Sequence, residues 1–107
     1  MRLFLMTLAV IFTSNLAALA QDGDPEIGRE IAAEHCIRCH DVAPDGAWKM
    51  HPPSFASIAA FRPESQIRAR IWFPVSLHSG MPAGAYLLTP ENVENVVAYI
   101  LSLEPEK

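Results

Sequence analysis

Five consecutive residues, Cys36-Ile37-Arg38-Cys39-His40, concentrate the chemistry of this chain. Two thiols three positions apart at a helix end can add to the two vinyl groups of one haem, and the adjacent histidine is then held beneath the iron as an axial ligand. The residue types divide the work, with the thioethers fixing the macrocycle and the imidazole donating to the metal. Three other chemistries use a cysteine pair. A thioredoxin-like dithiol belongs to a βαβ context, and no segment here alternates apolar and polar residues as a strand would. A structural zinc site would draw its remaining ligands from His35, His51 and His78, at spacings that match no common zinc motif. A disulfide between Cys36 and Cys39 would close too small a loop to stabilise much.

The elements that must position this motif are signalled by caps and prolines. Asp24 is placed to cap a first helix, Pro25 takes its first position and Glu26 faces the positive end of the dipole. Ile27, Gly28, Ile31 and Ala32 form its apolar face, which leads into Cys36. Thr89, Pro90 and Glu91 open a closing helix in the same way. Its stripe is Val93, Val96, Val97, Ile100 and Leu101, with Glu94, Asn95 and Ser102 off it. Pro63 to Phe73 reads as another helix, ended by Pro74, with Ile67 and Ile71 inward, and a shorter helical piece is expected from Ser54 to Ala60. Six of the nine prolines lie between the first and closing helices, which predicts short helices joined by extended loops. The expected fold is all-α, with three to five short helices.

The chain has 107 residues, and the first twenty form an export signal by pattern. Arg2 gives the positive start, Leu3 to Phe12 the apolar run, and Ala18-Leu19-Ala20 the small-x-small site that signal peptidase cleaves. Thr13, Ser14 and Asn15 break the run short of the ~20 apolar residues a membrane span needs. The expectation is cleavage before Gln21, a domain over residues 21–107 with its folded part at 25–104, and a product exported to the bacterial periplasm without stable membrane insertion. Loss of residues 1–20 removes Arg2 and no acidic residue, which leaves 7 Lys and Arg against 12 Asp and Glu, a formal charge of −5 over 87 residues. That balance argues against a nucleic-acid partner. A domain of this size gains from a staple, and two cysteines permit one disulfide or one cofactor attachment.

With the motif near the mature N-terminus and the closing helix in place, the sequence resembles the class I cytochromes c over nearly all of the mature chain. Gly28 falls eight residues before Cys36, where that family has a glycine that lets the terminal helices approach. Val96 and Tyr99 fall where the closing helix supplies an aliphatic and an aromatic partner, whereas Ala32 stands where an aromatic residue is usual. The resemblance implies a cytochrome c-like fold with one covalently attached haem c bound through Cys36 and Cys39. It implies His40 and Met81 as the iron ligands, since Met81 precedes Pro82 ahead of the closing helix. Met50, His51, His78 and an open site remain alternatives for the sixth position. The family's proline carbonyl, which accepts from the ligating histidine, maps best onto Pro53 rather than Pro52 or Pro44, and this puts Phe55 and Ile58 on apolar positions. Trp48, Trp72, Arg68 and Arg70 are candidates to bond haem propionates.

The implied function is that of a soluble single-electron carrier, not an enzyme. Its partners would be a dehydrogenase, a quinol-oxidising complex, or a terminal oxidase or reductase, each with a basic docking surface to match the acidic chain. Two alternatives stand beside it: a haem c subunit of a larger periplasmic oxidoreductase complex, and a haem-based ligand binder or sensor with an open sixth position. The four-helix-bundle cytochromes carry their motif near the C-terminus, unlike this chain.

Overall fold

The computed structural model describes residues 23–46, 51–74 and 80–105. The proposed signal segment at 1–20 lies outside these residues, as do Trp48, Met50 and His78. Among these described residues five helices follow one another: α1 (Pro25–His35), α2 (Phe55–Phe61), α3 (Glu64–Trp72), α4 (Gly84–Leu87) and α5 (Pro90–Ser102). The all-helical architecture is the one the prolines and apolar spacing predict.

Local chemistry sets the helix starts. The Asp24 carboxylate accepts from the Glu26 and Ile27 amides at 2.9 and 3.3 Å, and the Thr89 hydroxyl accepts from Asn92 at 3.2 Å. Ser54 caps α2 through the Ser57 amide at 3.1 Å. Each such cap is worth about 1 kcal/mol. At the far end of α3 the chain leaves the helix at Phe73, because Pro74 disfavours the helical conformation in the residue before it. The single turn of α4 has no counterpart in the sequence reading, since four residues cannot display a helical period.

α5 is the hub of the fold, packing on α1, α2 and α3. Val93, Val96, Val97 and Ile100 are essentially removed from solvent, at roughly 1.5–3 kcal/mol for each aliphatic side chain. Ala32, Phe55, Ala59, Ile67, Ile71 and Tyr99 complete the core. On α1 the face is narrower than its spacing suggests: Gly28 and Ala32 are buried, Ile31 is half-buried, and Ile27 remains 43% exposed.

The α1–α5 contact is the closest in the fold. A β-carbon at residue 28 would overlap the Asn95 backbone carbonyl and press on the Tyr99 β-carbon. Gly84 plays the same part for α4, where a β-carbon would stand 2.8 Å from the Ile71 carbonyl oxygen at the end of α3. Asn95, expected off the apolar stripe, is instead 4% exposed. The Asp24 amide lies ahead of the first helical turn and needs an acceptor, which Asn95 Oδ1 provides at 2.7 Å. The Asn95 amide group donates in turn to Asn92 Oδ1 at 3.3 Å, so the buried polar side chain is satisfied.

Gly28→Ala should destabilise the protein by at least about 2 kcal/mol through overpacking at the crossing, as read by denaturant unfolding. In an open helix the same change would stabilise by about 1 kcal/mol, so a neutral or positive result would contradict the close approach.

Candidate functional site

The motif begins where α1 ends. Cys36 caps the helix, its amide donating to the Ala32 carbonyl, and the chain then winds tightly, with the Cys39 and His40 amides donating to the Cys36 carbonyl at 3.3 and 3.0 Å. Both thiols are free; Cys36 is half-buried against the core and Cys39 is exposed. Burial pushes the Cys36 thiol up to about 11. Redox dithiols need the opposite, a thiol depressed toward neutrality, so the geometry disfavours an oxidoreductase of that type. Among the described residues no three His, Cys, Asp or Glu side chains converge in a manner suited to a metal ion.

His40 is half-buried, and its Nδ1–H donates to the Pro53 carbonyl at 2.6 Å. This is the bond expected of Pro53. It places a proton on Nδ1, so that Nε2 is the nitrogen that would hold a metal. The Phe55 ring lies 5.5 Å from the imidazole, centroid to centroid, inclined at 54°. Phe55 in turn stands 6.2 Å from the Tyr99 ring. The aromatic contact that Ala32 cannot make is thus supplied to Tyr99 from α2. A cleft of about 150 Å³ opens beside this histidine support, lined by Pro53, Ser57, Ile58, Phe61 and Arg62.

The other anticipated residues divide. Met81 lies in the non-helical stretch just before α4, outside the apolar core and 36% exposed. His51 is exposed, as is His35, whose Nε2 lies 3.8 Å from Glu34. Trp72 packs as a half-buried apolar contact against the core. Arg70 is exposed. Arg68 is engaged elsewhere: Nε and Nη2 donate to the two Glu94 oxygens at 2.7 and 2.9 Å, and Nη2 also reaches Glu64 at 2.6 Å. Those two carboxylates hold the guanidinium well above its ordinary value, and the side chain ties α3 to α5. Arg62, which is not among the anticipated residues, is the arginine that lines the cleft beside Pro53.

An all-helical chain with two free thiols and a tautomer-fixed histidine on one turn has the donor set of a class I c-type cytochrome. A family model described as "Cytochrome C oxidase, cbb3-type, subunit III" matches residues 23–100, and the chain belongs to this family. No curated protein and no solved structure gives a significant match. Membership carries with it covalently bound haem c and the class of haem c electron carriers. The residues present fit the group, since thiols, an imidazole nitrogen and an apolar wall lie on adjoining elements.

Arg68→Ala should lose roughly 1 kcal/mol by breaking the α3–α5 ion pairs. The pH dependence of the reduction potential should stay as in the wild type; a displaced profile would show that Arg68 does hold a haem carboxylate.

Proposed function

We propose that this chain is a periplasmic single-electron carrier whose haem is joined to Cys36 and Cys39 and whose iron is ligated by His40 and Met81. The observation that carries the reading is the His40–Pro53 hydrogen bond beside two free thiols, because it leaves one imidazole nitrogen for iron next to the two sulfurs that would attach the haem. Bound haem c supplies an iron that cycles between two oxidation states. The chain's own residues do the rest. Pro53 fixes the imidazole and strengthens it as a donor. Met81 contributes a soft thioether, which favours the reduced metal and raises the potential. Phe55, Ile58 and the α5 aliphatics keep water from the histidine side. Arg62, at the cleft, is the arginine best placed to meet a haem carboxylate.

The protein would be exported by residues 1–20 and cleaved before Gln21. No helix among the described residues is long and apolar enough to cross a membrane. Glu26, Glu30 and Glu34 are exposed along α1, in keeping with an acidic carrier that meets basic docking surfaces on an oxidase or on its electron donor. A second reading, a haem subunit held within a larger oxidoreductase complex, is favoured by the family description, which names an oxidase subunit. Co-purification at fixed stoichiometry would select it. A free carrier should give second-order transfer rates that fall steeply as salt is raised.

The ligand assignment has its own test. Met81→Ala should abolish the far-red methionine–iron charge-transfer band of the oxidised protein, lower the potential and let carbon monoxide bind the reduced form. Retention of the band would reassign the ligand, with Met50 next in line. Replacing Cys36 and Cys39 together by alanine should leave no pigment that survives acidified organic solvent, and pigment that resisted extraction would refute thioether attachment at these sulfurs.

A further inference from the structure

Three successive residues beginning with His40 are each gripped by a different group. His40 Nδ1–H donates to the Pro53 carbonyl at 2.6 Å, the Asp41 carbonyl accepts from the Phe55 amide at 2.9 Å, and the Val42 carbonyl accepts from the Tyr99 hydroxyl at 2.5 Å. The first two grips come from the entry to α2. The third crosses 57 positions of sequence to α5, and the Phe55 ring lies between the imidazole and the phenol.

The Tyr99 hydroxyl is not needed for packing. Its neighbours on α5 are Val96, Val97 and Ile100, all buried, and Tyr99 itself is only 5% exposed. A phenylalanine would supply the same apolar contact to Phe55 and to the Gly28 crossing. Burying a hydroxyl is unfavourable unless it is hydrogen-bonded, and the partner this one finds is a backbone carbonyl two residues beyond the histidine. Burial also raises the phenol's pKa, so the donor is intact at neutral pH.

We propose that Tyr99 is a positioning residue for the iron ligand: by fixing the Val42 carbonyl it holds the His40 ring against Pro53 and so sets how strongly that ring donates to the metal. The inference rests on His40 being the ligand. The segment after His40 is non-helical, and it is held by these hydrogen bonds together with the packing of Val42 against the core. Without the Tyr99 bond the loop can swing away from Pro53. The Nδ1–H bond then weakens, Nε2 becomes a poorer donor, and the oxidised iron is less well stabilised. The potential should therefore rise.

Tyr99→Phe in the holoprotein isolates the hydroxyl while keeping the ring. The expected result is roughly tenfold faster exchange of the His40 Nδ1 proton, an altered spread of the paramagnetically shifted haem-methyl resonances, which report the orientation of the axial imidazole, and a higher potential. Ile67→Val, a core change of similar thermodynamic size on α3, which supplies none of the three grips, serves as control and should move stability alone. If Tyr99→Phe matched that control, with exchange, methyl pattern and potential all as in the wild type, the hydroxyl would be merely structural and the proposal overturned. In the unaltered protein the Tyr99 hydroxyl proton should exchange slowly, and exchange at the free-phenol rate would equally overturn it. Failure of the ligand reading is distinguishable: the wild-type His40 ring protons would then carry no paramagnetic shift.

Discussion

The close approach of two helix backbones at Gly28 is the constraint on which the remaining geometry depends. With no side chain at that point, α1 settles directly against the Asn95 carbonyl of α5. The contact fixes how α1 lies against α5, and so where Cys36, its cap residue, leads the motif away. It also fixes Tyr99 on the same stretch of α5, where the hydroxyl reaches the loop after His40. A single crossing therefore sets both ends of the segment that must present two sulfurs and an imidazole in one orientation. Asn95 completes the joint by accepting from the Asp24 amide, so the start of α1 is bonded to the middle of α5 as well as packed on it.

A domain this small has little apolar area, and the structure distributes it unevenly. The histidine side is cross-linked by hydrogen bonds and backed by the buried Phe55, Tyr99 and α5 aliphatics. By contrast, Phe73, Tyr86 and Leu87 are largely exposed, at 78%, 89% and 46%. For a family whose members carry haem c, such a division is physically sensible: a large apolar cofactor supplies core that the chain does not, which is one solution to the poor surface-to-volume ratio of short domains.

The parts of this architecture legible in the sequence are those whose physics is local. Asp24 with Pro25, Thr89 with Pro90, and Ser54 each fix a helix start through bonds spanning two or three residues, so the sequence reading and the structure agree there. The Cys36–His40 spacing was legible for the same reason, and Pro53 could be named from the resemblance. What escaped depends on distant partners. Asn95 looks solvent-facing by periodicity, and only the unsatisfied Asp24 amide, 71 positions away, explains its burial. Arg68 and Arg70 are the arginines that suggest themselves for a haem carboxylate, but Glu94, 26 positions away, claims Arg68. Tyr99 reads as an aromatic packing residue, and nothing near it in sequence announces that its hydroxyl serves Val42.

Under the proposed ligation the two sides of the iron would be governed by different physics. An imidazole has a second nitrogen, so its orientation and donor strength can be set from behind by hydrogen bonds, and His40 is held in that way. A thioether has no such handle, and its placement must come from the backbone that bears it. Met81 accordingly sits in a non-helical stretch with Pro82 directly after it and with the following turn pressed closely against the end of α3 at Gly84. Electron transfer is fast when the ligands keep one geometry in both oxidation states. A histidine braced by three hydrogen-bonded residues and a methionine constrained through its chain are two independent means to that same stiffness, and only the first can also tune the potential without altering a ligand.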